Sequence, residues 1–240
     1  MTKEIVIDKI PEEFMYKRLD DGKSFSGECY ETKDGRLFKK YKFPINYYQV
    51  LKNIADYYKC NHLVLPEEFY FLENMKEENF IGYIRVLVKG QTFANLDDNI
   101  NLLKFIKALE FLEKEMISNS RRGLLYVDMN KNNLYYTKEG EIKVIDQDQY
   151  DLVFGHSYIR PIPDSMKDLA STIISVFFTP REFTNKQICD NITKCGAHVG
   201  GVLMPSQLLS ETAEILESNY HSTIVTLGDF RKKLELAREK

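Results

Sequence analysis

The chain lacks the cysteine pattern of a metal-binding or disulfide-rich protein. Its four cysteines form no C-x-x-C pair and have no histidine at zinc-finger spacing; they are Cys29, Cys60, Cys189 and Cys195. We therefore expect free thiols in a reducing compartment, with neither a zinc site nor disulfide bonds.

Long apolar runs and an excess of charge of one sign are also missing. No segment approaches the ~18 consecutive apolar residues of a membrane span, and the acidic start MTKEIVIDKIPEEF does not look like a signal peptide. The net charge of −3 gives no general attraction for nucleic acid or anionic lipid. We expect a cytoplasmic protein with neither a nucleic-acid partner nor a membrane partner.

The chain does have enough apolar material for a sizeable core. Its 240 residues are 43% apolar, which suffices for one large domain or two packed lobes. Residues 1–88 are rich in strand-like patterns and residues 100–240 in helical ones, and residues 89–99 are predicted to link them. The predicted fold class is α+β.

The first part of the chain is predicted to form a small antiparallel sheet with one helix. Its longest strand-like run is a hairpin signal, because two alternating segments meet at Asp34-Gly35. Apolar residues at helical spacing predict a helix over Ile45–Tyr58. The strand-like runs are FMYKRL, GECYETKDGRLFKKYKF, EEFYFLE and FIGYIRVLV.

The second part of the chain is predicted to be mostly helical. The segment INLLKFIKALEFLEKEMI has a clear amphipathic face. A further helix is predicted over Asp168–Phe178, and one or two more between Pro205 and Arg238. A short hairpin interrupts these helices, with strands predicted at Leu134–Tyr136 and Ile142–Ile145.

This hairpin carries oxygen-bearing side chains at one end. Pairing its strands brings the residues before the first strand and after the second to the same end; these are Asp128, Asn133 and Asp146, with Asp148 close by. Carboxylate and amide oxygens are ligands that magnesium accepts. The alternative is that they are ordinary turn residues, since Asp and Asn favour turns.

The order of these residues resembles a protein-kinase motif. Asp128, Asn133 and Asp146 follow the spacing of H-R-D-x-x-x-x-N and the later D-F-G. The resemblance implies that Asp128 orients or deprotonates an acceptor hydroxyl, and that Asn133 and Asp146 hold magnesium on the ATP phosphates. The sequence Ile145-Asp146-Gln147-Asp148 resembles the I-D-x-D/E motif of small bacterial and antibiotic-type kinases more closely than it resembles D-F-G.

Two segments in the first part of the chain resemble the kinase phosphate grip. The stretch from Gly22 to Tyr30 is similar to G-x-G-x-x-G-x-V, in which exposed backbone N–H groups close over phosphates. Its candidate binding residues are Gly22, Ser24, Ser26, Gly27 and Cys29.

The second of these segments, Leu37-Phe38-Lys39-Lys40-Tyr41, is similar to V-A-I-K-K on the third kinase strand. Leu37 and Lys39 share one strand face, so Lys39 is expected to contact the α- and β-phosphates. Lys40 is the alternative, and either lysine could instead be a solvated charge at a strand edge.

The chain departs from the kinase pattern in several places. Tyr126 and Val127 replace the His and Arg of the catalytic loop, and Asn130 stands where the family has a catalytic lysine, with Lys131 next to it. The predicted helix has no Glu to pair with Lys39. Gln49 or Asp56 could take the place of the missing Glu.

The segment between Asp146 and Asp168 is short compared with the kinase activation loop. Its His156 and Arg160 are expected to be surface residues. Asp168 resembles the aspartate that hydrogen-bonds the catalytic-loop backbone.

The resemblance implies an ATP- and magnesium-dependent phosphotransferase with a bilobal protein-kinase-like fold. The expected acceptor is a Ser or Thr hydroxyl on a protein, because the helical lobe looks minimal. A small-molecule hydroxyl, as in aminoglycoside or choline kinases, is an alternative acceptor. A pseudokinase that binds partners without turnover, or an interaction domain without nucleotide, is also compatible with the sequence.

Overall fold

The structure is a computed structural model that describes residues 2–20, 27–42, 48–58, 60–148, 150–152, 161–178, 183–196 and 203–239. The chain divides into two compact units, Met1–Val88 and Lys89–Lys240. The predicted linker, residues 89–99, belongs to the second unit and includes a short strand. The fold class is α+β.

The first unit contains a mixed six-stranded sheet with the order β1-β5-β6-β4-β3-β2. Its strands are β1 (Lys3–Ile7), β2 (Lys17–Arg18), β3 (Gly27–Glu31), β4 (Leu37–Tyr41), β5 (Glu68–Leu72) and β6 (Phe80–Arg85). The prediction of a purely antiparallel sheet is wrong, because β1 runs parallel to β5. The run KEIVI is short, and its pairing partner is far away in sequence, so no local turn signal reveals it.

The hairpin predicted at Asp34-Gly35 is confirmed, since β3 and β4 pair antiparallel. Gly35 has a φ of 82°, and its N–H donates to the carbonyl of Thr32 over 2.9 Å. This left-handed position favours glycine. A turn with such local chemistry fixes the register of the two strands that it joins.

Helix α1 (Tyr48–Tyr57) covers one face of this sheet. It lies within the helix predicted over Ile45–Tyr58, of which residues 45–47 are outside the described ranges. Tyr48 packs edge-on against Phe69 and Phe71 of β5, with ring centroids 5.4 and 4.9 Å apart. The opposite face is covered by the N-terminal segment. The ring centroids of Phe14 and Tyr70 lie 4.9 Å apart there.

The second unit is mostly helical within its described residues. Its helices are α2 (Leu102–Arg121), α3 (Pro161–Phe177), α4 (Lys186–Gly196), α5 (Pro205–Tyr220) and α6 (Leu227–Glu239). Helix α4 was not predicted, because its sequence KQICDNITKCG is polar and buries only three described side chains. Among the residues that the structure describes, no helix combines the length and apolar character of a membrane span.

Two small sheets complete the second unit. Their strands are β7 (Gly90–Thr92), β8 (Leu124–Leu125), β9 (Leu134–Thr137), β10 (Ile142–Val144) and β11 (Asp151–Leu152). Strands β9 and β10 form the predicted hairpin, with Leu134 opposite Val144, and β7 pairs with the other side of β9. The hairpin therefore ends at Asn133 on one strand and Ile145 on the other.

All four cysteines are free thiols, as predicted. Cys195 is buried in α4, whereas the other three are half-buried. Burial, with a smaller contribution from the Glu113 carboxylate, raises the pKa of Cys195 to about 12. Since the thiolate is the reactive species, this raised pKa lowers the reactivity of Cys195 at neutral pH.

Candidate active site

Two aspartates of the predicted site have left-handed backbone conformations. Asp128 has a φ of 59° and Asp146 a φ of 64°. Residues other than glycine rarely adopt this region, and such residues cluster at functional sites. Both conformations occur where the chain enters or leaves the β9–β10 hairpin.

The Asp128 carboxylate is held by two neighbouring amides. Asn130 Nδ2 donates to Oδ1 of Asp128 over 2.7 Å, and Asn133 Nδ2 donates to Oδ2 over 3.0 Å. Asn133 Nδ2 also lies 3.0 Å from the Asp128 carbonyl. Hydrogen bonds to an ionised acceptor are stronger than neutral ones, so the carboxylate has a fixed orientation.

The hairpin places Asp146 beside Asn133. The Ile145 N–H donates to the Asn133 carbonyl over 2.9 Å, so Asp146 directly follows the last bonded position of the hairpin. Because Asn133 uses its Nδ2 for Asp128, its Oδ1 is the side-chain atom able to bind a metal ion. The backbone pairing thus brings the positions of Asn133 and Asp146 to one end of the hairpin, where Asn133 also bonds to Asp128.

Helix α3 holds the loop that carries Asp128. The Asp128 N–H donates to Oδ2 of Asp168 over 3.2 Å, as the resemblance implied for Asp168. The Tyr126 N–H donates to Oγ of Ser165 over 2.9 Å, and the Thr172 hydroxyl donates to the Met129 carbonyl. Ser165 and Thr172 were not predicted, although their spacing from Asp168 places all three on one helix face.

The pKa of the Asp168 carboxyl depends on its burial and on its hydrogen bond to the loop. Burial raises the pKa of the Asp168 carboxyl above its ordinary range, whereas the N–H of Asp128 acts in the opposite direction. Asp168 is half-buried where it supports the loop. Its contact is with backbone, which fits a structural role.

The residues that replace the kinase His and Phe are buried. Tyr126, in place of the His, is 2% exposed and accepts a hydrogen bond from Asn119 over 2.8 Å. Gln147, which follows Asp146, is fully buried and donates its amide to the Val144 carbonyl over 3.0 Å. Asp148, the predicted fourth carboxylate, is 4% exposed. All three side chains are thus buried.

A metal ion at this site would need further ligands besides the described side chains of Asn133 and Asp146. Within the described ranges, no cluster of three or more His, Cys, Asp or Glu side chains could hold a metal ion. Asn133 and Asp146 would supply one amide and one carboxylate oxygen. Magnesium commonly completes such partial sites with water and substrate phosphates, so the pair fits that ion.

The described candidates for phosphate binding in the first unit, Gly27, Cys29, Leu37 and Lys39, share one face of the sheet. Cys29 lies opposite Lys39, and Gly27 lies opposite Tyr41. Leu37 is on the same face, because alternate residues of a strand point the same way. Gly22, Ser24 and Ser26 lie outside the described residues.

Lys39 and Lys40 differ in burial. Lys39 is 3% exposed and faces the α1 side, where its Nζ lies 5.7 Å from the centroid of the Tyr41 ring. Lys40 is half-buried on the opposite face. Burying a lysine ammonium is costly without compensating interactions. The burial of Lys39 therefore makes it the stronger candidate of the two for a functional role.

The backbone of β4 leaves no room for a side chain at position 27. A Cβ added at Gly27 would lie 2.7 Å from the Lys40 carbonyl oxygen, closer than side chains tolerate. Gly82 of β6 is more confined still, because its Cβ would lie 2.0 Å from the Lys39 carbonyl oxygen. Glycines on both sides allow the backbone of β4 to approach its neighbouring strands closely.

The two substitutes considered for the missing helix Glu are engaged elsewhere. Asp56 accepts a hydrogen bond from the Thr2 N–H over 2.9 Å. Gln49 is exposed and donates to Asn53 over 3.1 Å. Neither residue takes the role of a carboxylate partner for Lys39. His156 and Arg160 lie outside the described residues.

No protein-family model matches the chain, and no curated protein is significantly similar to it. The kinase resemblance therefore rests on the residues described above and on their geometry.

Proposed function

We propose that the chain is an ATP- and magnesium-dependent phosphotransferase with a bilobal protein-kinase-like fold. The observation that carries the proposal is the Asp128 carboxylate, held by two amides beside Asp146 at the end of a hairpin. A carboxylate of fixed orientation next to potential magnesium ligands is what phosphoryl transfer to a hydroxyl requires.

Each residue has a distinct role in this proposal. Asp128 accepts the proton of the acceptor hydroxyl, and Asn130 keeps the Asp128 carboxylate oriented. Asn133 and Asp146 would hold magnesium, which would supply neutralisation of the charge on the phosphates. Lys39 contacts the α- and β-phosphates, with Gly27, Cys29 and Leu37 next to it on the same sheet face.

The proposed acceptor is a Ser or Thr hydroxyl on a protein. Kinases that act on aminoglycosides or choline enlarge the helical lobe with inserted helices that bind the acceptor. The described part of the second unit has five helices, α2 to α6. This small number of helices favours a protein acceptor over a small molecule.

A pseudokinase is the second candidate, and one observation favours it. Helix α1 offers no carboxylate to Lys39 within its described residues, since its one acidic residue, Asp56, binds Thr2. An active kinase uses such a carboxylate to position the lysine on the phosphates. In this alternative, the chain binds partners, with or without nucleotide, and does not transfer phosphate.

Thermal unfolding with ATP tests nucleotide and magnesium binding. ATP at about a hundredfold excess over Kd should raise the Tm by roughly 5 to 10 °C when magnesium is present. Asp146→Asn should lose most of this shift because it removes a metal-binding charge. Asp190→Asn, at an exposed position of α4, is the matched control and should keep it. A wild-type protein unaffected by ATP and magnesium would contradict both candidates that bind nucleotide.

A further inference from the structure

Arg85, at the end of β6, is buried without a partner for two of its nitrogens. The side chain is 3% exposed, and its Nε and Nη1 have no hydrogen-bond partner among the described residues. A buried guanidinium that lacks an acceptor is strongly unfavourable, and buried charges in proteins are normally paired. Such a residue indicates a missing anion.

Arg85 lies on the same sheet face as Lys39. Leu37 is opposite Arg85, and Lys39 is opposite Tyr83, so the two cations are diagonal neighbours on adjacent strands. Diagonal neighbours have Cα atoms about 7–8 Å apart, within reach of one ligand for long side chains. Lys39 has contacts of its own, but its charge adds to that of Arg85.

The neighbouring carboxylates do not neutralise Arg85. Glu67 is half exposed, and its carboxylate lies 3.9 Å from the guanidinium of Arg36. Glu31 is opposite Leu37, one strand beyond it, and no hydrogen bond or ion pair joins it to Arg85. Arg85 is thus the buried cation of this face whose Nε and Nη1 lack acceptors among the described residues, and this favours an anionic ligand there.

We propose that Arg85, together with Lys39, binds a phosphate group on this face of the sheet. A guanidinium matches the oxygens of a phosphate, and its planar donors are fixed before binding. The ligand class is a di- or triphosphate, either as part of a nucleotide or as an inorganic polyphosphate. Assigning the ligand as ATP rests on the proposed function, whereas the anion site itself does not.

The test compares the Tm and Kd of wild type and variants with pyrophosphate and with ATP and magnesium, at matched ionic strength. Arg85→Met should weaken the binding of both ligands by at least about tenfold. Arg36→Met is the matched control, because Arg36 is a partly exposed arginine that already pairs with Asp34 and Glu68, and it should bind as wild type does.

A second effect separates a binding role from a structural one. Removing an uncompensated buried charge should raise the Tm of the ligand-free protein in Arg85→Met by a few degrees. Arg85→Lys keeps the charge and loses the planar donors, so its affinity should also fall. It serves as the test variant if Arg85→Met does not fold.

Failure of this inference can be told apart from failure of the proposed function. ATP binding that requires Asp146 and is unchanged in Arg85→Met overturns the phosphate site and leaves the kinase proposal intact. Binding of pyrophosphate that is lost in Arg85→Met, without any effect of ATP, supports the site and contradicts the nucleotide assignment. A wild-type protein that responds to neither ligand overturns both.

Discussion

Asp128 combines a strained backbone with a fixed side chain. A left-handed conformation at a residue other than glycine costs of order 1–3 kcal/mol, so the surrounding structure must maintain it. Here the Asp128 N–H bonds to Asp168, and its carbonyl and carboxylate accept from Asn133. The left-handed turn directs the carboxylate toward the amides, which explains why the conformation is retained.

Asn130 provides a direct test of this positioning. In Asn130→Ala, Oδ1 of Asp128 loses its donor, so the carboxylate becomes less well oriented while its charge remains. We expect kcat for phosphate transfer to fall about tenfold with the KM for ATP unchanged. Steady-state kinetics check this, with the neighbouring exposed Asn132→Ala as control. A raised KM with normal kcat would instead place Asn130 on the nucleotide.

The site was partly predictable from the sequence at the level of single residues. The spacing of Asp128, Asn133 and Asp146 predicts their meeting, because a short hairpin is a local structure. The hydrogen bond that the Asn130 side chain donates to the Asp128 carboxylate could not be predicted, since it depends on a left-handed residue that no motif encodes. The unpaired state of Arg85 was equally hidden, because it requires knowing what surrounds the side chain.

Among the elements, local signals were predictable and non-local ones were not. The β3–β4 and β9–β10 hairpins and the amphipathic helix α2 follow from turn residues and periodicity. Strand β1 pairs in parallel with β5 from a distant part of the chain, so the sequence gives no sign of its partner. Helix α4 was missed because it is short and polar.

Helix α5 begins against a buried carboxylate of α2. Glu113 is 4% exposed, and it accepts hydrogen bonds from the N–H of Ser206 over 2.7 Å and from its hydroxyl over 2.5 Å. The carboxylate thus caps the start of a neighbouring helix. Burial raises the pKa of Glu113 to about 7, and the hydrogen bonds from Ser206 oppose this only in part.

This pKa predicts a pH dependence of stability. The folded Glu113 holds its proton up to about pH 7, whereas the unfolded residue loses it near 4.5. The stabilisation from the raised pKa is therefore fully present below the unfolded value and is lost as pH rises through the folded one. The loss is on the order of 3 kcal/mol in the free energy of unfolding.

Urea unfolding at a series of pH values checks the role of Glu113. Glu113→Gln should flatten the decrease in stability between about pH 4.5 and 7, since glutamine does not titrate. Glu110→Gln, at an exposed position of the same helix, should keep the wild-type dependence. An unchanged pH profile in Glu113→Gln would show that other groups cause it.

At the scale of the whole molecule, each unit contributes a different part of the proposed chemistry. The first unit supplies the buried cations Lys39 and Arg85 on one sheet face. The second supplies the carboxylates and amides around Asp128. The proposed phosphotransferase activity draws on both sets of residues.

Phosphate transfer from γ-labelled ATP, with magnesium and a generic protein acceptor, tests the proposed function most directly. The wild-type protein and the surface control Asp190→Asn should transfer label. Asp128→Asn should be slower by about a hundredfold or more, while keeping the ATP-induced rise in Tm. Absence of transfer by the wild-type protein, or equal transfer by Asp128→Asn, would contradict the assignment of Asp128 as the base of a phosphotransferase.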